Sequence, residues 1–238
     1  MTFPSSLERQ AQALAGAQLH WQARRQEGAT TPALAVAIAR EAGAPGTSVA
    51  RAVGARLGWT VYDHELLERV AQEMGLRTSL LESVDEKHQS WLLECAAALS
   101  SAPGVTESRY VHHLAQTVLS LGALGRCVIV GRGAAQLLPA ASTLRVRLVA
   151  PLEERVEAMR LRLGVGREEA ARKVEETDRE RARFVRDHFQ KDPTDPQNYD
   201  LILNSARWSV EECAGLILQA LQQFQTRTAV RGSQATLG

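Results

Sequence analysis

Residues 33–48 have the sequence ALAVAIAREAGAPGTS. The unbroken apolar run at residues 33–39 predicts a short strand that is buried on both faces. The loop that follows contains two glycines and a proline, and a helical pattern runs from residue 49 to residue 57. A buried strand, a glycine-containing loop and a helix in succession are typical of an α/β fold built on a parallel sheet.

The rest of the chain continues this alternation of strands and helices. Further strands are predicted at residues 59–62, 127–130, 144–149 and 200–203. Helices are predicted at residues 78–100, 106–123 and 209–223, after Pro151, and across the charged segment 166–191. We therefore expect a three-layer α/β fold, with a parallel sheet and helices on both faces. Ligands of such sheets bind at the carboxyl ends of the strands, where residues 40–48, 62–69 and 131–135 fall.

The sequence divides into three parts. Residues 33–224 form the predicted main domain. Residues 1–32 are predicted to be a helical extension that packs on this domain or on a second subunit, which would make the protein a homo-oligomer. Residues 225–238 are predicted to be a flexible polar tail.

Composition narrows the classes of partner. The 238 residues carry a net charge of +1, so no global field draws the chain to nucleic acid or to a membrane. No signal peptide and no apolar run of membrane-spanning length are recognised. The three cysteines, Cys95, Cys127 and Cys213, are scattered and predict buried thiols in a cytoplasmic protein without a tightly bound metal.

The loop after the first strand is a candidate phosphate-binding loop. Gly43 and Gly46 let the backbone turn, so that N–H groups around Ala44 can approach a phosphate at the start of the following helix. The hydroxyls of Thr47 and Ser48 could hold a Mg²⁺ through water. The strict pattern GxxxxGK[ST] is absent, and the loop has no lysine. The alternative is an ordinary strand-to-helix turn with a Ser or Thr cap.

Two arginines are candidates for binding a second phosphate. Asp63 opens a helix on which Arg69 would face the crevice. Alternatively, Asp63 is only an N-cap and Arg69 a solvated helix residue. Arg132 follows a buried strand and lies between two glycines, where a ligand can approach closely and a guanidinium can grip phosphate with two hydrogen bonds. The alternative for Arg132 is a turn residue paired with a surface carboxylate.

The charged segment 166–191 carries a further candidate cluster. On a helix, Arg179 and Arg183 share a face, whereas Arg181 lies elsewhere. Asp178 precedes these arginines. The alternative is a solvated helix in which glutamates pair with the arginines at i,i+4 spacing.

In their order and spacing, these segments resemble the cytidylate kinase-like family, a branch of the P-loop nucleoside monophosphate kinases. ALAVAIA and its loop are similar to the phosphate loop of that family, and LGWTVYDHELLER to its next strand and monophosphate-binding helix. CVIVGRGAAQLLP, with LRVRLVAPLEERV after it, is similar to its GR strand and loop and the following strand and helix. TDRERARF resembles its arginine-bearing lid, and YDLILNSARWSVEE its final strand and helix.

The resemblance implies a P-loop nucleoside monophosphate kinase-like fold with a helical lid at residues 166–191. It also implies ATP-dependent phosphorylation of CMP, dCMP or a related monophosphate, with Mg²⁺ entering with the ATP. The implied catalytic residues are Arg132, Arg179 and Arg183. The implied substrate-binding residues are Asp63, Arg69, Arg132 and Asp178. The implied nucleotide-binding residues are Arg40, Gly43, Ala44, Gly46, Thr47, Ser48, Arg179, Arg181 and Arg183.

The chain also departs from that family's pattern. Gly46 stands where a typical kinase has the P-loop lysine, and Arg40 stands where it has the first glycine. The missing lysine favours a second hypothesis, a nucleotide-binding sensor without turnover, whereas the lid arginines favour the enzyme. A third hypothesis is a purely structural or oligomeric domain.

Overall fold

The computed structural model describes residues 34–64, 105–131 and 133–235. In this part of the chain the strands are β1 (Ala35–Arg40), β2 (Thr60–Tyr62), β3 (Cys127–Val130), β4 (Thr143–Val149) and β5 (Leu201–Asn204). The α-helices are α1 (Gly46–Leu57), α2 (Val105–Leu124), α3 (Ala134–Leu137), α4 (Leu152–Leu163), α5 (Arg167–Phe189) and α6 (Val210–Ala235). None of these helices is both long enough and apolar enough to cross a membrane.

The five strands form one sheet in the order β2-β3-β1-β4-β5. Every neighbouring pair is parallel, and Ile38 in β1 lies between Val130 in β3 and Val146 in β4. The strands β2 and β3 lie on one side of β1, and the strands β4 and β5, which follow them in the sequence, lie on its other side. A crevice for ligands forms at such a switch point in the strand order. The α/β fold with a parallel sheet, predicted from the sequence, is confirmed.

The alternating side chains of β1 supply both faces of the core. Val36 and Ile38 pack with residues of α1 and α6, such as Val53 and Ile217, and all four are buried. Ala35 and Ala37 face α2 and α3 on the other side. Because apolar residues cover both faces of the strand, the sheet is the middle of three layers.

A smaller apolar cluster lies beside the main core. Ala42, from the loop after β1, packs with Val156 and Met159 of α4 and with Ala170 and Val174 of α5. This cluster fixes the loop against the helices α4 and α5, on the side where the carboxyl ends of the strands emerge.

The predicted strands agree with the observed strands to within two residues at each end, because short apolar runs between turn residues define them well. The short helix α3 was not predicted. The closing helix continues to Ala235 instead of ending near residue 223, since residues 224–231 contain neither proline nor glycine to stop it. The predicted helices at residues 1–32 and 78–100 lie outside the described residues.

The described cysteines behave as predicted. Cys127 and Cys213 are buried and unpaired by disulfides. Burial raises the pKa of the Cys127 thiol to about 12 and also raises the pKa of Cys213. Both side chains are therefore neutral packing residues at neutral pH. Cys95 lies outside the described residues.

The buried strand β3 gives a test of the fold. Ile129 is fully buried, so Ile129→Ala should lower the free energy of unfolding by about 2–5 kcal/mol through lost burial and a residual cavity. Ile202 in β5 is 42% exposed, and Ile202→Ala should cost clearly less. Urea denaturation of both variants measures the difference, and equal losses would contradict this arrangement of the sheet.

Candidate active site

A cleft of about 490 Å³ lies at the carboxyl edge of the sheet. Its floor is formed by the end of β1 and the segment after β3, and the middle of α5 lies across it. The volume is in the range of pockets that hold a small organic ligand. Its charged lining residues are Arg40, Glu41, Arg147, Asp178, Glu180 and Arg181.

Asp178 of α5 is bonded to the loop after β1. Its Oδ1 accepts a hydrogen bond of 2.7 Å from the backbone N–H of Ala42. Its Oδ2 accepts a second bond of 2.6 Å from Nη1 of Arg155, and the same nitrogen also donates to the carbonyl oxygen of Ala42 at 3.2 Å. Ala42 is 1% exposed, so the carboxylate and the guanidinium satisfy loop groups that water does not reach.

Gly43 explains why the loop can lie so close to α4. Its φ is +86°, a left-handed conformation that glycine adopts without steric cost. A Cβ at this position would collide with the backbone of Arg155, whose Cα would lie 2.8 Å away. The predicted role of Gly43 in turning the backbone therefore has a structural counterpart, in a loop packed directly on the helix.

Glu41, which lines the cleft, lies between two arginines. Its Oε2 lies 3.4 Å from Nε of Arg155, and its Oε1 lies 3.5 Å from Nη2 of Arg147. The side chains of Arg155 and Arg147 are only 11% and 13% exposed. Glu41 also accepts the backbone N–H of Ala150 at 3.1 Å. Because every member has several partners, these largely buried charges are held in fixed orientations.

Two aromatic residues, Tyr199 and Phe184, also line the cleft. Tyr199 donates its hydroxyl to the Pro193 carbonyl at 2.8 Å and accepts from Nε2 of Gln136 at 2.9 Å. The guanidinium carbon of Arg147 lies 5.6 Å from the centre of the Tyr199 ring. Phe184 of α5 packs against the same apolar cluster as Tyr199. The cleft is therefore lined by both aromatic and charged side chains, and Arg147 contacts the ring of Tyr199.

The structure separates the predicted lid arginines. Arg181 lines the cleft and donates from Nη1 to the carbonyl oxygen of Arg40 at 3.1 Å. Arg179 and Arg183 are exposed on another face of α5, where Arg183 pairs with Asp187 at 3.1 Å. The helical period predicted that Arg181 would lie apart from the other two, and α5 presents that arginine, with Asp178, to the cleft.

Among the residues that the structure describes, six further predicted site residues do not line the cleft, namely Gly43, Ala44, Gly46, Thr47, Ser48 and Asp63. Thr47 is half-buried and Ser48 exposed, in the first turn of α1. Ala44 is part of the turn and donates its N–H to the Glu41 carbonyl at 3.2 Å. Asp63 lies 3.4 Å from Nη2 of Arg51, at the end of β2. Arg69 and Arg132 lie outside the described residues, so their predicted roles remain predictions.

Several residues of the site were not singled out in the sequence. Glu41 lies inside the predicted loop, but its side chain is directed at α4 and β4 by contacts that the sequence cannot show. The sequence of β4 does point to Arg145 and Arg147, because charged residues two positions apart in a buried strand must lie on the same face of the sheet. Arg145 pairs with Asp200 at 3.1 Å, whereas Arg147 lies at the carboxyl end, opposite Ala39 of β1.

The arrangement of oxygen atoms bears on the expected Mg²⁺. In the described part of the chain, no group of three or more His, Cys, Asp or Glu could hold a metal ion. The carboxylates of Glu41 and Asp178 are engaged by arginines. Thr47 and Ser48 lie in the first turn of α1 and do not line the cleft, so their predicted role toward Mg²⁺ remains a prediction.

A family model and individual known proteins match this chain. Residues 35–207 match the sequence model of the cytidylate kinase-like family. A cytidylate kinase of Methanopyrus kandleri is 28% identical over 189 residues, which make up 78% of this chain and 93% of that protein. A cytidylate kinase of Pyrococcus horikoshii is 31% identical over 100 residues, 42% of this chain and 52% of that protein.

One solved structure supports the fold. An uncharacterized protein from Eubacterium ventriosum aligns with a TM-score of 0.62 and 18% identity. The alignment covers 80% of this chain and 98% of that chain. At this identity the likeness concerns the fold alone.

Removing the Asp178 carboxylate should loosen the loop. Asp178→Ala leaves the buried N–H of Ala42 without its acceptor and removes one partner of Arg155, so we expect a loss of about 1–3 kcal/mol in the free energy of unfolding. Hydrogen exchange at the amides of residues 42–44 should become faster. Asp187→Ala is the matched control, because its carboxylate pairs with Arg183 on the exposed face. If both variants exchange alike, Asp178 does not hold the loop.

Proposed function

Because the chain belongs to the cytidylate kinase-like family, we propose that it is a nucleoside monophosphate kinase-like phosphotransferase. Its donor would be ATP with Mg²⁺, and its acceptor CMP, dCMP or a related monophosphate. Two relatives named as cytidylate kinases support this choice of acceptor class.

The observation that carries the proposal is the position of the cleft. It lies where the loop after β1, the segment after β3 and α5 meet, and its lining includes Arg40, Arg147 and Arg181. Phosphoryl transfer requires two polyanions to be held end to end with positive charge around the transferring group. The proposal is supported by three arginines from separate stretches of the chain that line one cleft, together with the carboxylates of Glu41, Asp178 and Glu180.

In the proposed reaction, an oxygen of the acceptor monophosphate forms a bond to the γ-phosphorus of ATP. The bond from that phosphorus to the β–γ bridging oxygen breaks, and the products are ADP and a nucleoside diphosphate. Mg²⁺, held by the nucleotide with Thr47 and Ser48, would neutralise charge on the phosphates. Arg132 and Arg69 would bind the acceptor phosphate, and Arg181, an arginine of α5 that lines the cleft, would contact the donor when that helix closes.

The aromatic residues of the lining suggest how the acceptor would lie. Its base would lie against Tyr199 and Phe184, and its phosphate would point away from them, toward the phosphates of the donor. An aromatic wall favours a planar ring through stacking. The hydrogen bond from Gln136 fixes the hydroxyl of Tyr199, so this wall is formed before a ligand arrives.

A nucleotide-binding module without turnover is the second candidate function. Gly46 provides no side chain at the position of the P-loop lysine, and Arg179 and Arg183 are exposed and do not line the cleft. Both features would weaken stabilisation of the donor phosphates without closing the cleft to a nucleotide.

A nucleotide panel separates these functions. We expect CMP or dCMP, together with ATP and Mg²⁺, to raise the melting temperature and to release ADP in a coupled assay. A ligand at 100 times its Kd adds about 2.7 kcal/mol to stability, which a thermal shift detects. UMP and AMP serve as competing acceptors. A thermal shift without ADP release would favour the nucleotide-binding module without turnover. The absence of both a thermal shift and ADP release would favour a purely structural domain.

Arg132 gives a test of the acceptor site. We expect Arg132→Ala to weaken acceptor-monophosphate binding more than about tenfold while the fold stays intact, because a charge-assisted pair of hydrogen bonds is lost. Calorimetric titration measures the affinity. Arg160→Ala is the control, since Arg160 lies on the surface of α4 and pairs with Glu157 at 2.7 Å. Unchanged affinity in Arg132→Ala would refute the assignment.

A further inference from the structure

The side chain of Arg40 fills the space beside Gly46. A Cβ at Gly46 would lie 2.8 Å from Cγ and 2.9 Å from Cδ of Arg40. These distances are shorter than carbon atoms tolerate, so a side chain at position 46 and the stem of Arg40 exclude each other. Gly46 itself is buried at the start of α1. The side chain of Arg40 can therefore follow its observed path only because residue 46 is a glycine.

The far end of Arg40 reaches the neighbouring strand. A Cβ at Gly131 would collide with Nη1 of Arg40 and would lie 3.3 Å from Cζ. Gly131 directly follows β3, and its N–H donates to the carbonyl of Ile38 at 2.9 Å. The guanidinium consequently lies over the backbone of Gly131, between the loop after β1 and the segment that carries Arg132.

Both glycines thus make room for one arginine, and that arginine lines the cleft. The stem crosses the start of α1, where a helix N-terminus favours an anion. The guanidinium lies between the loop proposed for the donor phosphates and the segment proposed for the acceptor phosphate. A guanidinium between these two segments is positioned to contact the phosphoryl group as it passes from the donor to the acceptor.

We propose that Arg40 does in this chain what a lysine at position 46 does in a P-loop: it binds the terminal phosphates of the triphosphate. The inference rests on the proposed phosphotransferase function and assigns a catalytic residue to it. A guanidinium can bind two phosphate oxygens at once, whereas an ammonium acts as a compact point charge. The charge comes from the end of β1 instead of the first turn of α1.

Three variants test this assignment by calorimetric titration with the β,γ-imido analogue of ATP and Mg²⁺. Arg40→Met keeps an unbranched stem against Gly46 and removes only the charge. We expect it to weaken binding by about tenfold or more. Arg40→Lys should fall between the wild type and Arg40→Met. The double variant Arg40→Gly/Gly46→Lys removes the stem and returns a cation from position 46, and it should recover most of the lost affinity.

The controls address folding and general charge. Melting temperatures within about 3 °C of the wild type identify variants that remain folded. Arg160→Met removes a surface arginine of α4 and should leave binding unchanged. Gly46→Lys alone should be impaired, because the lysine would meet the stem of Arg40. Gly46→Lys and the double variant differ only at position 40. A difference between their affinities for the triphosphate analogue therefore measures the effect of the clash between a side chain at position 46 and the stem of Arg40.

The outcomes separate this inference from the proposed function. Binding by Arg40→Met within about twofold of the wild type would overturn the inference and leave the phosphotransferase function standing. A folded double variant that binds as weakly as Arg40→Met would overturn the equivalence with lysine. If the wild type binds the triphosphate in an Arg40-dependent way but transfers no phosphoryl group, the proposed function fails and Arg40 remains a phosphate ligand. If the wild type binds no triphosphate, both fail.

Discussion

The Asp178 carboxylate connects three segments that are far apart in the sequence. It accepts the N–H of Ala42 in the loop after β1 and bonds to Arg155 of α4, while Asp178 itself belongs to α5. A buried backbone N–H without an acceptor is costly, so this contact ties the position of α5 to the conformation of the loop. Arg181 lies one turn further along the same helix, so the position of Arg181 at the cleft also depends on this contact.

The charges around the cleft form a supported network in place of isolated cations. Glu41 lies within 3.5 Å of both Arg147 and Arg155, and Arg147 also contacts Tyr199. Desolvated charges are stable only when each has partners of opposite sign and satisfied hydrogen bonds. The counter-charges therefore hold Arg147 and Arg155 in one orientation, which is the preorganisation that the proposed phosphoryl transfer would require.

The glycines of the site show how a charge can be supplied from a different residue. In the usual P-loop arrangement the lysine lies on the first turn of the helix, next to a glycine-rich loop. Here Arg40 lies before the loop, and Gly46 and Gly131 leave its path open. The pattern in the sequence is lost, because the residue that bears the charge has moved by 6 positions in the numbering. The spatial requirement for a cation near the loop can still be met.

The sequence by itself determined the elements of the fold. β3 was predicted at its observed bounds, residues 127–130, and the charged helix α5 was predicted within two residues of its ends, because apolar runs and helical periodicity are local properties. The same periodicity placed Arg181 apart from Arg179 and Arg183. Only the tertiary structure decided that the face bearing Arg181 and Asp178 covers the cleft, that Arg147 turns toward Tyr199, and that Arg40 runs across Gly46. A local pattern fixes which side chains share a face, whereas contacts between distant segments fix what that face meets.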